Sequence, residues 1–253
     1  MLPMADAHYR TALVTGASSG IGAATARALR RQGLEVIACA RRGDHLKALA
    51  DEIGARFIVC DLRDKQAVYD AFGDLEVDVL VNNAGVGRGF TSITKAKPED
   101  IETTVGLNVT GVLHATRAVV PGMVDRARGH VVNIGSVAGL HGCAPVIYGA
   151  SKGAVHLLSQ DLRMDLSGTG VRVTEICPGR VMTGFFDVAF DDEEAKKKFT
   201  SGFTLLEADD VAECVVHAVN APWHVNIATI EVIPTEQAIG GVQIQAARTG
   251  TDS

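Results

Sequence analysis

The stretch Thr15-Gly16-Ala17-Ser18-Ser19-Gly20-Ile21-Gly22 decides the fold of this chain. A brief apolar run, residues 11–14, precedes it, and an Ala-rich segment with the composition of a helix, residues 21–29, continues from it. A glycine-rich turn between a strand and a helix lets the backbone approach a pyrophosphate closely, and the helix N-terminus favours the negative charge. The stretch therefore predicts a dinucleotide-binding turn. Its expected contacts to the cofactor are Gly16, Ser18, Ser19, Gly20, Ile21 and Gly22.

A second apolar run, residues 35–40, lies where the second strand of such a unit is expected. In an NAD-binding site an acidic side chain usually ends this strand and binds the ribose hydroxyl. Here the strand ends at Arg41 and Arg42, with no carboxylate before Asp44. Because guanidinium groups bind phosphate through charge-assisted hydrogen bonds, the sequence predicts NADP(H) as the cofactor, with Ser18 as a further contact to the 2′-phosphate. The alternative is that both arginines are ordinary loop residues.

The rest of the chain alternates apolar strands with helices, which predicts a parallel sheet covered by helices on both faces. The remaining strands are expected at residues 56–60, 77–81, 129–134, 171–176 and 226–232. The remaining helices are expected at 44–53, 65–72 and 98–126, from Tyr148 to about residue 167, and at 208–220. No repeat or linker interrupts this order, so residues 1–253 are expected to form a single α/β domain with a polar, loose tail at 241–253.

Composition and charge narrow the classes of partner. The chain has 253 residues, 47% of them hydrophobic, and a formal net charge of −6 without a basic stripe, so neither nucleic acid nor an anionic membrane is an expected partner. The five cysteines lie far apart without a CxxC spacing, and the histidines show no HExxH pattern, so no metal site is expected. Free thiols, a start unlike a signal peptide, and the lack of an apolar run of about 18 residues indicate a cytoplasmic protein.

A tyrosine and a lysine lie four residues apart at Tyr148 and Lys152, so that on a helix both side chains leave from one face. The pKa of an unperturbed phenol is about 10. An ammonium roughly 4 Å away, at an effective dielectric constant near 20, favours the phenolate by about 4 kcal/mol, or about 3 pKa units. Lys152 is therefore expected to lower the pKa of Tyr148 and make it a general acid/base. The spacing is common by chance, so this assignment depends on the neighbouring residues.

Three further features suggest a site around this pair. Ser136 follows strand 129–134 and is well placed to hydrogen-bond a substrate oxygen. Asn108 interrupts an apolar helical stretch, where it either faces solvent or is buried and holds a kink or a water. Residues 184–204 carry five phenylalanines beside acidic and lysine runs, and we interpret them as a lid over the site. A solvated helical excursion is the alternative for this segment.

Taken together, these residues resemble the short-chain dehydrogenases/reductases over nearly the whole chain. The matching pieces are Thr15-Gly16-x-x-x-Gly20-x-Gly22, Asn82-Asn83-Ala84-Gly85, Asn108, Ser136, Tyr148-x-x-x-Lys152, and Pro178-Gly179 with Thr183. Each piece is modest, but their joint occurrence in this order is specific. The resemblance implies a Rossmann-type, three-layer α/β/α fold with a seven-stranded parallel sheet, and a homotetramer or homodimer.

The resemblance also implies a role for each matched side chain. It makes Tyr148 the proton donor and acceptor, and it has Lys152 hold the nicotinamide ribose and lower the pKa of Tyr148. Ser136 would orient the substrate carbonyl, and Asn108 would hold a water in a proton relay. The other cofactor contacts that it implies are Asp61 at the adenine, Thr183 at the nicotinamide carboxamide, and Leu62, Asn83, Ala84, Gly85, Pro178, Gly179 and Val181.

Within the family the chain is most similar to NADP-dependent enzymes that act on 3-hydroxy acids, β-hydroxy amino acids such as serine, and small aldehydes such as sulfoacetaldehyde. The residues that carry this likeness are Arg41-Arg42, Pro121-Gly122-Met123-Val124, Asn133-Ile134-Gly135-Ser136, Tyr148-Gly149-Ala150-Ser151-Lys152, Arg163-x-Asp165-Leu166 and the end 225–234. The likeness implies a substrate of this class, interconverted between carbonyl and alcohol by hydride transfer.

Two departures from that subgroup concern the substrate. The stretch from Ser136 to Tyr148 spans 12 positions where the subgroup usually has 13, and residues 184–191 lack the arginine that would bind an acid group. Arg180 or Arg88 is the candidate replacement, and the other candidate substrate contacts are His141 and Phe185. Without such an arginine, a neutral ketone, steroid or sugar alcohol is the alternative substrate. A catalytically idle NADP(H)-binding regulator is the distant alternative function.

Overall fold

A seven-stranded sheet forms the middle layer of the computed structural model, which describes residues 9–143 and 145–237. Its strands are β1 (Thr11–Thr15), β2 (Glu35–Ala40), β3 (Arg56–Val59), β4 (Val79–Asn82), β5 (Gly129–Ile134), β6 (Val171–Pro178) and β7 (Thr229–Val232). Their spatial order is β3-β2-β1-β4-β5-β6-β7, and all neighbours are parallel. The strand order reverses between β1 and β4, and ligands bind at the carboxyl ends of such strands beside that point.

Helices cover both faces of the sheet. They are α1 (Gly20–Arg31), α2 (Gly43–Ile53), α3 (Lys65–Phe72), α4 (Pro98–Val105), α5 (Val112–Asp125), α6 (Val137–Leu140), α7 (Val146–Asp165), α8 (Phe185–Ala189), α9 (Glu193–Thr200) and α10 (Ala208–Asn220). One apolar cluster packs α1, α2 and α10 on one face, with Leu29 and Val215 at its centre. The other packs α3, α5 and α7 on the opposite face around Phe72 and Met123. The predicted three-layer Rossmann-type fold with a seven-stranded parallel sheet is thereby confirmed.

The main departure from the predicted elements is in the long helix expected at 98–126. It is divided by a π-helical segment, Gly106–Gly111, which separates α4 from α5. The short helix α6 was not predicted, and the ends of several strands differ by one to three residues from the expected bounds. The tail predicted at 241–253 lies outside the described residues. Across the part of the chain that is described, no helix is long and apolar enough to cross a membrane.

Candidate active site

A cavity of about 970 Å³ opens at the carboxyl ends of the strands. Its wall brings together residues that are far apart in the sequence and follow all seven strands. The predicted cofactor contacts that line it are Gly16, Ser18, Ser19, Gly20, Ile21, Arg41, Arg42, Leu62, Asn83, Ala84, Gly85, Tyr148, Lys152, Pro178, Gly179, Val181 and Thr183. The remaining two, Gly22 and Asp61, do not line it.

The glycine-rich turn is held in place by the segment after β4. Asn83 Nδ2 donates to Thr15 O at 2.9 Å, and Thr15 Oγ1 accepts from the backbone N–H groups of Asn83 and Ala84. Gly16 has a φ of +67°, and a Cβ there would lie 2.8 Å from Ala84 Cα. Gly22 packs beneath the turn, where a Cβ would overlap Gly16 O. The turn therefore needs glycine at both positions, at Gly16 for its conformation and at Gly22 for close packing.

The two arginines after β2 lie at the entrance to this turn. Arg42 Nη2 donates to Ser18 Oγ at 2.9 Å and to Ser19 Oγ at 2.6 Å, while Arg41 is exposed beside it on the cavity wall. Two guanidinium groups and two hydroxyls thus lie together. No acidic side chain that lines the cavity lies among them. This donor set fits the 2′-phosphate of NADP(H), because all of its groups can donate to phosphate oxygens.

Asp61 is engaged elsewhere. Its carboxylate accepts from Arg63 Nη2 at 2.6 Å, and this hydrogen bond lowers the pKa of Asp61. The residues on either side of it, Cys60 and Leu62, line the cavity instead. The structure therefore does not bring the Asp61 carboxylate to the position implied for an adenine contact.

Tyr148 lies on the first turn of α7 and lines the cavity together with Ser136. Ser136 follows β5 and caps α6, where its Oγ accepts from Ala138 N at 3.1 Å. Burial raises the pKa of Tyr148 to about 12, and the neighbouring Ser136 side chain offsets only part of this rise. The phenol therefore keeps its proton at neutral pH and is able to donate it.

The prediction that Lys152 lowers the pKa of Tyr148 is wrong for this structure. Lys152 Nζ donates to Ile134 O at 2.7 Å and lies 6.0 Å from the centroid of the Tyr148 ring. Lys152 is buried and Tyr148 is half-buried, and removal from water disfavours the charged form of each. Burial lowers the pKa of Lys152 to about 8. Desolvation of the phenol thus outweighs the attraction of the ammonium that the helical spacing suggests.

Asn108 is buried in the π-helical segment, so the interpretation that it distorts the helix is confirmed over a solvent-facing position. Its Oδ1 accepts from Val86 N at 2.8 Å, and its Nδ2 donates to Val86 O at 2.9 Å and to Ser151 Oγ at 3.0 Å. A Cβ on Gly85 would lie 3.3 Å from Asn108 Oδ1 and 3.7 Å from Lys152 Nζ. Asn108 therefore joins the loop after β4 to α7, and Gly85 keeps the space between them open.

Comparison with known proteins shows the family to which a chain with this arrangement belongs. The sequence profile of the family described as short chain dehydrogenase matches residues 10–194. The chain belongs to the short-chain dehydrogenase family.

Relatives of this short-chain dehydrogenase align with it over almost their whole length. The NADP-dependent 3-hydroxy acid dehydrogenase YdfG of Salmonella typhi is 43% identical, covering 92% of this chain and 98% of its own. The serine 3-dehydrogenase of Rhizobium radiobacter is 36% identical, covering 92% and 97%. A closed form of serine dehydrogenase complexed with NADP⁺ matches in structure with a TM-score of 0.88 at 40% identity, covering 94% of this chain and 100% of that one. The predicted oxidoreductase class and NADP(H) cofactor are confirmed by these relatives.

The substrate side of the cavity in this short-chain dehydrogenase is aromatic. The aromatic cluster consists of Phe90, Tyr148, Phe185, Phe186, Phe190 and Phe199. Phe90 lies at its centre, with ring centroids 5.7 Å from Tyr148 and 5.1 Å from Phe190. Phe185, expected as a substrate contact, lies 5.3 Å from the Tyr148 ring and lines the cavity. A substrate that approaches Tyr148 therefore meets apolar ring surfaces first.

Of the two candidate anion-binding arginines, only Arg180 lines the cavity. It is 8% exposed, its Nη1 donates to Phe199 O at 2.9 Å, and its guanidinium carbon lies 3.9 Å from the Phe199 ring centroid. Arg88 is instead paired with Asp100 at 3.1 Å and Asp191 at 3.2 Å. A guanidinium that is already held by two carboxylates is a poor anchor for a third.

His141 also lies away from the cavity. Its Nε2 is 3.4 Å from Glu231 Oε1 on β7, and it is absent from the residues that line the wall. The substrate contact of His141 stays a prediction.

Other lining residues were not named as site residues from the sequence, although those between 184 and 199 fall in the segment interpreted as a lid. They are Cys39, Ala40, Cys60, Val86, Phe90, Leu107, Ile134, Gly135, Val137, Ala138, Cys143, Pro145, Gly184, Phe186, Asp187, Val188, Phe199 and Gln237. Several directly adjoin motifs, so their place could have been inferred from the strand ends. No local pattern distinguishes Phe90, which lies in the irregular segment between β4 and α4.

Proposed function

We propose that this short-chain dehydrogenase interconverts a hydroxy acid, a β-hydroxy amino acid or a related small aldehyde with its oxidised or reduced partner, with Tyr148 as the general acid/base. The observation that carries the proposal is the position of Tyr148, Ser136 and Lys152 on the wall of the same cavity that holds the Arg42–Ser18–Ser19 donors. The names of the relatives, 3-hydroxy acid dehydrogenase and serine 3-dehydrogenase, support the substrate class.

The chemistry divides between the cofactor and the chain. When bound, NADP(H) supplies or accepts the hydride. Ser136 and Tyr148 hold the substrate oxygen, and in reduction Tyr148 donates its proton to that oxygen. A phenol with a pKa of about 12 is fully protonated near neutral pH, which suits it to this direction. Lys152, with a pKa of about 8, carries its charge at neutral pH and loses it as the pH rises further.

A second candidate substrate, a neutral ketone or alcohol with a bulky apolar group, is favoured by the aromatic cluster. Phe90 and Phe185 pack directly on the ring of Tyr148, and Arg88 is already bound to two carboxylates. The reactive end of the pocket thus offers apolar surface where the relatives' small polar substrates would need donors. Arg180 supports the first candidate, because it places a buried guanidinium on the same wall.

The substitution Phe185→Ala decides between the two candidates. If the substrate is bulky and apolar, kcat/KM should fall roughly 10- to 100-fold, because an aromatic contact of about 1.5–3 kcal/mol is lost. For a small hydroxy acid that does not reach this ring, the change should stay within about threefold. Phe57→Ala is the matched control, since Phe57 is 43% exposed on β3.

The substrate class itself is tested by a specific-activity screen with purified protein. NADP⁺ is offered with 3-hydroxy acids, serine, polyols and hydroxysteroids, and NADPH with sulfoacetaldehyde and neutral ketones. The proposal expects its highest kcat/KM among the hydroxy acids, serine and small aldehydes. Turnover confined to neutral ketones, steroids or polyols would replace the first candidate with the second.

We also propose that residues 184–204 act as a lid. Helices α8 and α9 of this segment carry Phe185, Phe186 and Phe199 onto the cavity wall, and Phe190 and Phe199 both contact Phe90. Ring contacts join this excursion to Phe90 in the segment after β4, and Arg88 of the same segment donates to Val188 O and Asp191 Oδ1. Such contacts suit a cover that closes over a substrate and excludes water.

Finally, we propose that the protein is a cytoplasmic homotetramer. Large apolar side chains are exposed on α4, α5 and α7, among them Val105, Leu113, Leu157 and Met164. Exposed apolar surface on neighbouring helices is typical of subunit contacts. The five cysteines are free thiols, which suits a reducing compartment. Light scattering should give a mass of four chains, and a monomer would contradict the assembly.

A further inference from the structure

Behind the catalytic wall lies a completely buried acid that the chemistry described so far does not use. Glu175 is on β6 with 0% of its side chain exposed, and its Oε2 is 2.6 Å from His156 Nδ1 on α7. His156 Nε2 is in turn hydrogen-bonded to Gln160 Nε2 at 2.8 Å. Burying a carboxylate costs folding free energy, and a pairing such as that with His156 only offsets this cost. The Glu175 site is therefore energetically costly.

The Glu175 carboxylate lies directly under the turn that carries Ser136. A Cβ added to Gly135 would overlap Glu175 Oε1 and lie 3.0 Å from Glu175 Cδ, so only glycine fits before Ser136. Cys177 lies two residues further along β6, and both Glu175 and the backbone of Ser136 shift the pKa of its thiol. The acid therefore supports the position of Ser136 from below.

Glu175 also acts on the ammonium of Lys152. Burial lowers the pKa of Lys152, and two groups on β6 oppose that shift, the Cys177 thiol and the Glu175 carboxylate. Burial raises the pKa of Cys177 far above neutrality, so that thiol is uncharged. The Glu175 carboxylate therefore helps Lys152 to keep its proton, and the two lie at the same strand end, because Lys152 Nζ donates to Ile134 O, next to the Gly135 that packs on Glu175. Around these groups the structure places Tyr148, His156 and Arg163 on α7.

We propose that Glu175 is a positioning residue, which with His156 holds the Ser136 turn and keeps the Lys152 ammonium charged behind Tyr148. The inference rests on the proposed roles of Tyr148 and Lys152. Glu175 touches neither substrate nor cofactor in this account, because it is absent from the cavity lining. Its effect passes through Gly135, Cys177 and Lys152.

The test is the pH dependence of the Glu175→Gln protein. In the wild type, the alkaline loss of kcat/KM should follow the deprotonation of Lys152, near pH 8. Removing the negative charge should move this midpoint down by about one pH unit, and Glu175→Asp should restore it. Glu213→Gln makes the same charge change on the exposed surface, where Glu213 pairs with Arg31, and should leave the midpoint unchanged. A folded Glu175→Gln protein with the wild-type midpoint would overturn the proposal.

A second readout separates this proposal from the function on which it rests. The dissociation constant of NADPH is measured by its fluorescence from pH 6 to about 10, which spans the range in which lysine titrates. If the wild type turns over no substrate, the proposed function fails. The midpoint of the NADPH dissociation constant against pH still reports the deprotonation of Lys152. This midpoint should move to lower pH in Glu175→Gln. An unchanged midpoint would contradict the positioning role proposed for Glu175. If Glu175→Gln does not fold, His156→Gln is used, because it removes the side chain that holds the Glu175 carboxylate at 2.6 Å. The midpoint should then differ from that of the wild type, and an unchanged midpoint overturns the proposal.

Discussion

Tyr148→Phe should reduce NADPH-dependent turnover by roughly 10²- to 10⁴-fold, the usual contribution of a positioned general acid. The phenol lies beside Ser136 on the cavity wall, and its high pKa keeps the proton in place for donation. Phenylalanine preserves the ring contacts with Phe90 and Phe185, so the pocket should keep its shape. The measurement is kcat from the change in NADPH absorbance, with the NADPH dissociation constant determined by fluorescence.

The matched control for that substitution is Tyr69→Phe. Tyr69 lies on α3, where its hydroxyl is hydrogen-bonded to His114 at 3.3 Å, away from the cavity. Loss of this hydroxyl should leave kcat unchanged within about twofold, since the contact is remote from the chemistry. A Tyr148→Phe protein that keeps full turnover would remove the proposed acid/base from the mechanism.

The second large effect is expected for the double substitution Arg41→Ala, Arg42→Ala. The affinity for NADP(H) should fall roughly 100-fold, because two charge-assisted hydrogen-bonding groups are removed from the phosphate site. NAD(H) lacks the 2′-phosphate, so its affinity should change by no more than about threefold. Dissociation constants for both cofactors, measured on the same preparations, give the comparison.

Arg56→Ala serves as the control for this loss of positive charge. Arg56 begins β3 and is exposed outside the cavity wall, so its removal tests the general effect of charge on an anionic ligand. It should weaken both cofactors equally and slightly. Equal large losses for NADP(H) and NAD(H) in the double variant would contradict a specific 2′-phosphate site.

The sequence predicts the sheet and the cofactor turn well because both have local causes. Apolar runs spaced by helices set a parallel sheet, and the glycines of 15–22 are required by the conformation at Gly16 and the packing at Gly22. Tyr148 and Lys152 lie on one helix at a spacing that the sequence displays directly. The effect of Lys152 on the pKa of Tyr148 was predicted wrongly. The spacing indicates a distance between the two side chains, but it does not show how deeply they are buried.

The remainder of the site depends on contacts between distant segments. Phe90 reaches Phe190 and Phe199 across about a hundred residues, and no local pattern marks it. Arg88 looked available in the sequence, but the fold pairs it with Asp100 and Asp191. Such pairings follow only from the tertiary structure, because exposed loops bring the partners together. The position of Asn108 could be predicted in part, because the poor helix propensity of asparagine did indicate a distorted helix.

The central claim is that the chain moves a hydride between NADP(H) and a carbonyl carbon at this site, and deuterium transfer tests it most directly. The wild-type protein is incubated with NADPH dideuterated at C4 and the carbonyl compounds that correspond to the screened alcohols, and the products are analysed by mass spectrometry. We expect one deuterium on the alcohol carbon of a product formed by the wild type, and at least about 100-fold less product from Tyr148→Phe. NADPH binding without deuterium transfer to any carbonyl compound would contradict the account and favour a non-catalytic NADP(H)-binding regulator.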